Sequence, residues 1–248
     1  MLWRSHSFVH VTYGTERYRP SLRMLRRSGG RFGVRRFFIH REDDPIIAGL
    51  HRDHPDIMVA QRGAGYWLWK PFIIAHALDR IADGTTLLYT DAATAYIADP
   101  GPLVALAEAH PIITFLNAGY LQLHYTKRDC FVLLNSDTPA DWTRPQLDAA
   151  YLLLRAGQEA RAFVKDWADA MTDPRILTDQ ANTCGLPNLD GFIDHRHDQS
   201  VLTIIAPRHG AAALRCPRRP RESNDPAPYE QIFHHHRQSF PWTERQER

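Results

Sequence analysis

Two aspartates in this 248-residue sequence stand where they could do chemistry, because a charged side chain beside apolar residues needs a partner. Asp91 ends the apolar run "TTLLYTD" and is followed by two alanines, and Asp198 lies in the polar string "HRHDQS". Such a carboxylate can hold a divalent cation through its oxygens, pair with a cationic side chain or accept bonds in a turn. The structural alternatives are a turn residue for Asp91 and a helix N-cap for Asp198.

The stretch "RGAGYWLWKP" carries groups that suit a phosphate. Arg62 and Lys70 supply positive charge, the glycines allow close approach of the backbone, and Tyr66 offers an aromatic surface together with two tryptophans. Lys70 is a rare lysine in an arginine-rich chain. At the start of a helix it would reach an anion together with the helix amides. The alternative is an aromatic cluster that anchors this helix to a sheet.

Strands and helices are predicted to alternate through the first half of the chain. The strings "HSFVHVTYG", "RRFFIH", "TTLLYTD" and "PIITF" indicate strands, and helices are predicted at 17–27, after Pro71 and at "PLVALAEAH". The string "REDDPIIAGLHRDHPD" predicts a loop with about one helical turn. This order predicts an α/β domain with a mostly parallel sheet flanked by helices. Ligands bind such sheets beyond the carboxyl ends of the strands, where Gly14 and Asp91 fall.

The second half of the chain has a looser pattern. Apolar residues at helical spacing between 160 and 171 predict a helix that buries this stripe in the core. The string "DHRHDQSVLTIIAPRHG" predicts a polar loop that leads into a short helix ended by Pro207. From Arg215 the Pro- and Arg-rich "RCPRRPRESNDPAPYE" predicts a loop or mobile flap, after which "QIFHHHRQSFPW" brings aromatic residues back.

Composition narrows the class of protein. A formal net charge of +2 argues against bulk nucleic-acid binding, which needs a strongly basic domain. Three cysteines without short spacing indicate neither a disulfide framework nor a zinc site, and they favour a reducing compartment. The N-terminus lacks the apolar core of a signal peptide, and no apolar stretch is long enough to span a bilayer. We therefore expect a cytoplasmic protein, and a peripheral contact with a membrane is left open.

Three of these strings together resemble bacterial A-type-fold (GT-A) glycosyltransferases of the capsule and surface-polysaccharide kind: "GYWLWKP" before a helix, "LLYTDAA" on a strand and "HRHDQS" downstream. The resemblance runs from about Ser7 to Ile205. It implies one GT-A-like domain over 1–248, with a nucleotide-sugar-binding half at about 6–115. An acceptor and sugar half would follow at about 116–213, and a flexible C-terminal flap at 214–248.

The resemblance also implies roles for individual residues. In that fold an Asp-x-Asp motif holds a divalent cation on the donor diphosphate; Asp91 matches the first aspartate, and Ala93 stands at the second. His235 would be a further ligand of Mn²⁺ or Mg²⁺, because some relatives use a late histidine before a Pro-Trp pair, here Pro241 and Trp242. The implied catalytic residues are Asp91, Asp198 and Gln199, and the implied nucleotide-sugar-binding residues are Thr12, Tyr13, Gly14, Arg62, Tyr66, Lys70 and His197.

The implied activity is transfer of a sugar from a UDP- or GDP-sugar to a saccharide or lipid-linked acceptor. A catalytically inactive nucleotide-sugar-binding protein of the same fold is the first alternative, and the missing second aspartate favours it. A binding module for anionic polymers, with "RCPRRPR" as its contact, is the second. Inversion at the sugar would need a carboxylate base, for which Asp194 and Asp198 are both available, and retention would not.

Overall fold

The structure, a computed structural model, describes residues 8–236. The strands in this range are β1 (Phe8–Tyr13), β2 (Arg36–His40), β3 (Thr86–Thr90), β4 (Thr94–Tyr96), β5 (Ile112–Leu121), β6 (Pro145–Leu147), β7 (Tyr151–Arg155), β8 (Ala212–Arg215) and β9 (Phe233–His235).

Helices of very different length connect these strands. They are α1 (Arg19–Arg31), α2 (Pro45–Asp53), α3 (Pro55–Met58), α4 (Gly63–Tyr66), α5 (Trp69–Leu78), α6 (Gly101–Val104), α7 (Gln122–Tyr125), α8 (Arg128–Leu133), α9 (Pro139–Trp142), α10 (Gln158–Met171), α11 (Pro174–Leu177) and α12 (Asp198–Ile205). Turns of 3₁₀ helix lie at Glu16–Tyr18, Ala105–Glu108 and Ala206–His209. Within residues 8–236, no helix combines the length and the apolar character that crossing a bilayer requires.

The main sheet is mixed but mostly parallel. Its strand order is β2-β1-β3-β7-β5-β6, and β8 also pairs with β5. β1 runs parallel to β2 and β3, whereas β7 is antiparallel to both β3 and β5. β5 therefore shares the direction of the first three strands, as does β8, and only β6 and β7 run the other way. The predicted α/β domain with a mostly parallel sheet flanked by helices is confirmed.

Both faces of the sheet are buried, which is why its central strands are apolar on both sides. In β3, Leu87 and Tyr89 belong to one core, and Leu88 belongs to the other. This is the alternation expected when neighbouring residues of a strand point to opposite faces. The first core contains α5 and the predicted stripe of α10, while the second is closed by residues from the C-terminal part of the chain, including Phe233.

The described part of the predicted flap is packed against this second face. Tyr229 and Phe233 are buried there, and β9 pairs antiparallel with β4. Arg215 forms an ion pair with Asp225 and lies over the Tyr229 ring, with 4.7 Å between its Cζ and the ring centroid. Whether this segment opens stays a prediction. The rest of the flap, with the Pro-Trp pair at 241–242, lies outside the described residues.

One prediction about an element is wrong. The string "REDDPIIAGLHRDHPD" forms the nine-residue helix α2 and the turn α3, not a loop with one turn. Asp44 caps α2 by accepting a bond from the Ile46 N–H at 3.0 Å, and Pro45 takes its first position. Ile47 and Leu50 then bury one face of the helix. The Asp-Pro pair was the available signal, since both residues are favoured at a helix start.

Candidate active site

A cleft of about 210 Å³ lies where β3 ends, at the carboxyl edge of the sheet, which is the usual ligand position in such folds. Seven separate parts of the chain line it. The residues predicted from the sequence that meet there are Arg62, Lys70, Asp91, His197, Asp198, Gln199 and His235.

A left-handed turn shapes one wall of the cleft. All five residues from Gly63 to Trp67 have positive φ, at 61°, 50°, 91°, 51° and 60°. The Trp67 N–H donates to the Gly63 carbonyl at 3.2 Å, and the Trp69 indole N–H donates to the same carbonyl at 2.9 Å. Left-handed backbone is unfavourable for L-residues, so it needs support of this kind. The turn places Trp67 in the cleft and begins α5, which carries Lys70.

Lys70 lies at the centre of the site. Its side chain is only 2% exposed, and its ammonium donates to the Asp198 carboxylate and, at 3.0 Å, to the carbonyl of Ala149. The same ammonium is 3.4 Å from Asp91 Oδ1. Burial alone would lower the pKa of Lys70, but the charges of Asp198 and Asp91 outweigh burial and hold the pKa above its usual value. The lysine is therefore a fixed positive charge between two carboxylates.

Asp91 follows β3 directly and reaches into the cleft with 29% of its side chain exposed. Its Oδ1 accepts a hydrogen bond from the Tyr89 hydroxyl at 2.6 Å. Its backbone N–H donates to the Ala150 carbonyl at 3.0 Å, which fixes the residue against the neighbouring loop. This carboxylate contacts the side chains of Tyr89 and Lys70, which favours the cationic-partner interpretation over a turn residue.

Asp198 and Gln199 begin α12 at the opposite wall. His197 occupies the N-cap position and Asp198 is the first helical residue, so the interpretation of Asp198 as an N-cap is not supported. Burial raises the pKa of Asp198 to about 6, and the charge of Lys70 opposes this rise. The Gln199 amide donates to the side-chain oxygen of Gln146, which is itself buried. Both side chains are thus held in fixed orientations.

His197 contributes a buried acceptor. Its Nδ1 donates to the Leu177 carbonyl at 2.8 Å, and its ring lies 4.6 Å from that of Tyr66, measured between centroids. Burial lowers the pKa of His197 to about 4, so the ring is neutral near pH 7. The Nε2 atom is buried without a hydrogen-bond partner and lies 3.7 Å from Asp179 Oδ1. In a neutral ring that donates from Nδ1, Nε2 is an acceptor.

Arginines give the cleft its positive rim. Arg62 pairs with Asp194 at 2.9 Å, and Arg218 pairs with Asp148 at 3.0 Å. Arg196 lies over two tyrosine rings, with its Cζ 5.1 Å from the centroid of Tyr125 and 5.7 Å from that of Tyr120. Sequence reasoning missed Arg196 and Arg218 as site residues. Their signals were the strings "HRHDQS" and "RCPRRPR", but the second had been assigned to a flap.

The predicted nucleotide residues at the end of β1 do not line this cleft. The Tyr13 ring packs on Trp69 with centroids 4.2 Å apart, and Thr12 Oγ1 is buried without a hydrogen-bond partner. Gly14 donates its N–H to the His40 carbonyl at 3.2 Å, which ties it to the end of β2. Tyr66 does not line the cleft either, and its ring packs beside that of His197, which does. A nucleotide-binding role for these four residues stays a prediction.

The side chains of the cleft do not offer enough ligands to hold a divalent cation by themselves. Among residues 8–236, no three His, Cys, Asp or Glu side chains are grouped so that they could hold a metal. Asp91 Oδ1 already accepts from Tyr89 and faces Lys70. His235 does reach the cleft, where its Nδ1 lies 3.3 Å from the Tyr151 hydroxyl. The use of Mn²⁺ or Mg²⁺ with Asp91 and His235 as ligands stays a prediction.

No protein-family model matches the chain, and no curated protein matches it in sequence. Solved structures of glycosyltransferases do resemble its fold. The apo structure of the bifunctional glycosyltransferase WbbM is 13% identical, with a TM-score of 0.48 over 86% of this chain and 39% of that chain. An active-site mutant of LgtC is 12% identical, with a TM-score of 0.47 over 95% and 92%. GlyE of Streptococcus pneumoniae TIGR4 is 14% identical, with a TM-score of 0.43 over 85% and 46%.

This chain therefore spans less than half the length of the WbbM and GlyE structures and nearly all of the LgtC structure. These structural neighbours are A-type glycosyltransferases, the class that the sequence resembles. At such low identities the likeness concerns the fold alone, and one fold hosts many functions. Function has to be argued from the residues of the cleft.

Proposed function

We propose that this cleft transfers a sugar from a nucleotide diphosphate-sugar to a saccharide or lipid-linked acceptor. The observation that carries the proposal is the meeting of Asp91 and Asp198 on the buried ammonium of Lys70, inside a cleft with an arginine rim. These two aspartates come from opposite halves of the chain, so a purely local structural role does not explain their meeting. Perturbed, paired charges in a cleft are typical of functional sites.

The arginine rim suits the leaving group. Breaking a glycosyl phosphate bond builds negative charge on the departing diphosphate, and guanidinium groups stabilise such charge through paired N–H bonds. Arg196 is the least tightly engaged of the three rim arginines, because its Nε lies 3.6 Å from Asp194 whereas Arg62 and Arg218 pair with aspartates at 2.9 Å and 3.0 Å. Its guanidinium lies over Tyr120 and Tyr125 and lines the cleft. The donor diphosphate would bind on this side.

The carboxylates suit the sugar. The transition state of glycosyl transfer carries positive charge on the sugar ring, and a nearby carboxylate stabilises it. Asp198, whose pKa burial raises to about 6, is largely ionised near neutral pH and lines the cleft beside Gln199. A carboxylate there could also take the proton of an acceptor hydroxyl. The His197 Nε2 acceptor would receive a hydrogen bond from a sugar hydroxyl, which would give its buried lone pair a partner.

The test is a panel of UDP- and GDP-sugars with saccharide acceptors, with Mn²⁺ and with EDTA, measuring release of nucleoside diphosphate and ligand-induced rise in melting temperature. The native protein should turn over at least one donor. Asp198→Asn should fold normally but lose turnover by about a hundredfold. The matched control is Asp53→Asn, an exposed aspartate at the end of α2 that should leave turnover unchanged.

Binding of a donor without turnover would assign the inactive nucleotide-sugar-binding alternative. Absence of both binding and turnover across the panel would refute the proposal. The cytoplasmic location, the identity of the donor and the acceptor class stay predictions until such assays are done.

A further inference from the structure

The geometry points to Lys70 as a built-in cation that stands between Asp91 and Asp198, where a divalent metal would otherwise be held, so that the site engages its donor without metal. Metal-free binding of the donor rests on the proposed function. The placement of the lysine as a cation rests only on contacts within the chain, and it can be tested without any sugar.

The lysine is placed as a metal ion would be. It touches oxygens from three separate places: the Asp198 carboxylate, the Ala149 carbonyl at 3.0 Å and Asp91 Oδ1 at 3.4 Å. The Tyr89 ring also faces the ammonium, with 5.4 Å from Nζ to the ring centroid. Two carboxylates and a carbonyl are the oxygen donors that Mg²⁺ and Mn²⁺ prefer. The ammonium of Lys70 already contacts these oxygen atoms, and its charge neutralises one of the two carboxylates.

A second cation on Asp91 Oδ1 would sit close to this ammonium. With about 2.1 Å for a metal–oxygen bond added to the 3.4 Å between Oδ1 and Nζ, the metal and Nζ could be no more than about 5.5 Å apart. Two positive charges at that separation repel strongly in a partly buried site, where screening by water is weak. The same metal would also compete with the Tyr89 hydroxyl for Oδ1.

The ammonium keeps one direction for a ligand. Its contact with Asp91 at 3.4 Å is longer than an ordinary N–H···O bond, whereas its other two partners are close. A phosphate oxygen in the cleft could therefore become its third acceptor. With Arg196 and Arg218 on the same cleft, the charge of a diphosphate is met by side chains alone.

The experiment measures Mn²⁺ binding by electron paramagnetic resonance to the native protein, to Lys70→Ala and to Lys70→Ala with Asp91→Asn. We expect the native protein to bind Mn²⁺ weakly, and Lys70→Ala to bind at least about a hundredfold more tightly, because removal of the ammonium leaves two carboxylates facing one space. The added Asp91→Asn change should abolish this gain. Lys70→Gln, which keeps more of the side-chain volume, replaces Lys70→Ala if the latter does not fold.

Tight Mn²⁺ binding by the native protein that Asp91→Asn abolishes would overturn the inference, as would a folded Lys70→Ala that binds Mn²⁺ no better than the native protein. If neither Lys70 variant folds, the affinity of the native protein for the sugar donor is measured in Mn²⁺ and in EDTA. We expect the two affinities to be equal, and a higher affinity in Mn²⁺ would overturn the inference. Failure of the proposed function is distinguishable, since it would leave the Mn²⁺ results intact while no donor bound or reacted.

Discussion

The left-handed turn at 63–67 predicts that a Cβ is unfavourable at two neighbouring residues, so that adding one and removing one should have opposite effects on stability. Gly65 has φ +91°, and a Cβ there would lie 2.5 Å from Met58 Sδ and 3.0 Å from Met58 Cα. Ala64 has φ +50° and already bears a Cβ in left-handed backbone. Gly65→Ala should therefore destabilise the protein, and Ala64→Gly should stabilise it.

The magnitudes follow from separate contributions. Left-handed backbone costs an L-residue about 1–2 kcal/mol, and a steric clash with a packed neighbour adds about 1–3 kcal/mol. Gly65→Ala should therefore lower the free energy of unfolding by about 2–5 kcal/mol. Ala64→Gly relieves the backbone strain but gains chain entropy in the unfolded state, which leaves a net stabilisation of about 0.5–1 kcal/mol.

Urea denaturation at neutral pH measures both variants against the native protein, with an unchanged dependence on urea as the check that the unfolded state is the same. Any folded Gly65→Ala protein should also bind donor poorly, because the turn positions Trp67 and Lys70. Changes of the same sign in the two variants, or a neutral Gly65→Ala, would refute the left-handed turn and the positioning role given to it.

Three further predictions concern pH and the C-terminal segment. The pKa of His197 is lowered to about 4, so the unfolded state takes up the proton first, and this residue should contribute about 3 kcal/mol to the fall in the free energy of unfolding as pH drops from about 6.5 to 4. Buried His10 and His195, whose pKa values are also lowered, add to that fall, so His197→Gln should make it shallower; an equally steep fall in the variant would contradict this. Turnover should rise with pH through about 6, the raised pKa of Asp198, because the ionised carboxylate is the active form. A profile that is flat between about pH 5 and 8 would count against that role. Limited proteolysis between 215 and 230 should slow with saturating donor, and equal cleavage with and without donor would argue against a flap that closes.

The sequence predicted best the features that depend on neighbouring residues. The strand before Asp91 and the helix that carries Lys70 are local patterns of apolar residues, and both are present. The direction of β7, which runs against β3, is a matter of topology that the string "AAYLLLR" does not encode. The Asp-Pro pair at the start of α2 was a local helix signal, but the charged residues around it favoured the prediction of a loop.

The core of the site depends on contacts that are distant in sequence. Lys70 and Asp198 are 128 residues apart, and nothing near either residue indicates the other. The glycines of "RGAGYWLWKP" predicted only a close approach of the backbone, and nothing in the sequence indicated the positive φ of Tyr66 and Trp67. Arg218 could not be placed from sequence, because its Pro-rich surroundings carry no periodic pattern.

The most direct test of glycosyl transfer is a single-turnover measurement with the donor that raises the melting temperature most, comparing the native protein with Asp198→Asn and following both nucleoside diphosphate and glycosylated acceptor. We predict that the native protein forms the two products in equal amounts, and that Asp198→Asn binds the donor but forms neither at a comparable rate. Equal rates in the two proteins, or no glycosylated product from the native protein with any bound donor, would contradict the assignment of this cleft as the site of sugar transfer.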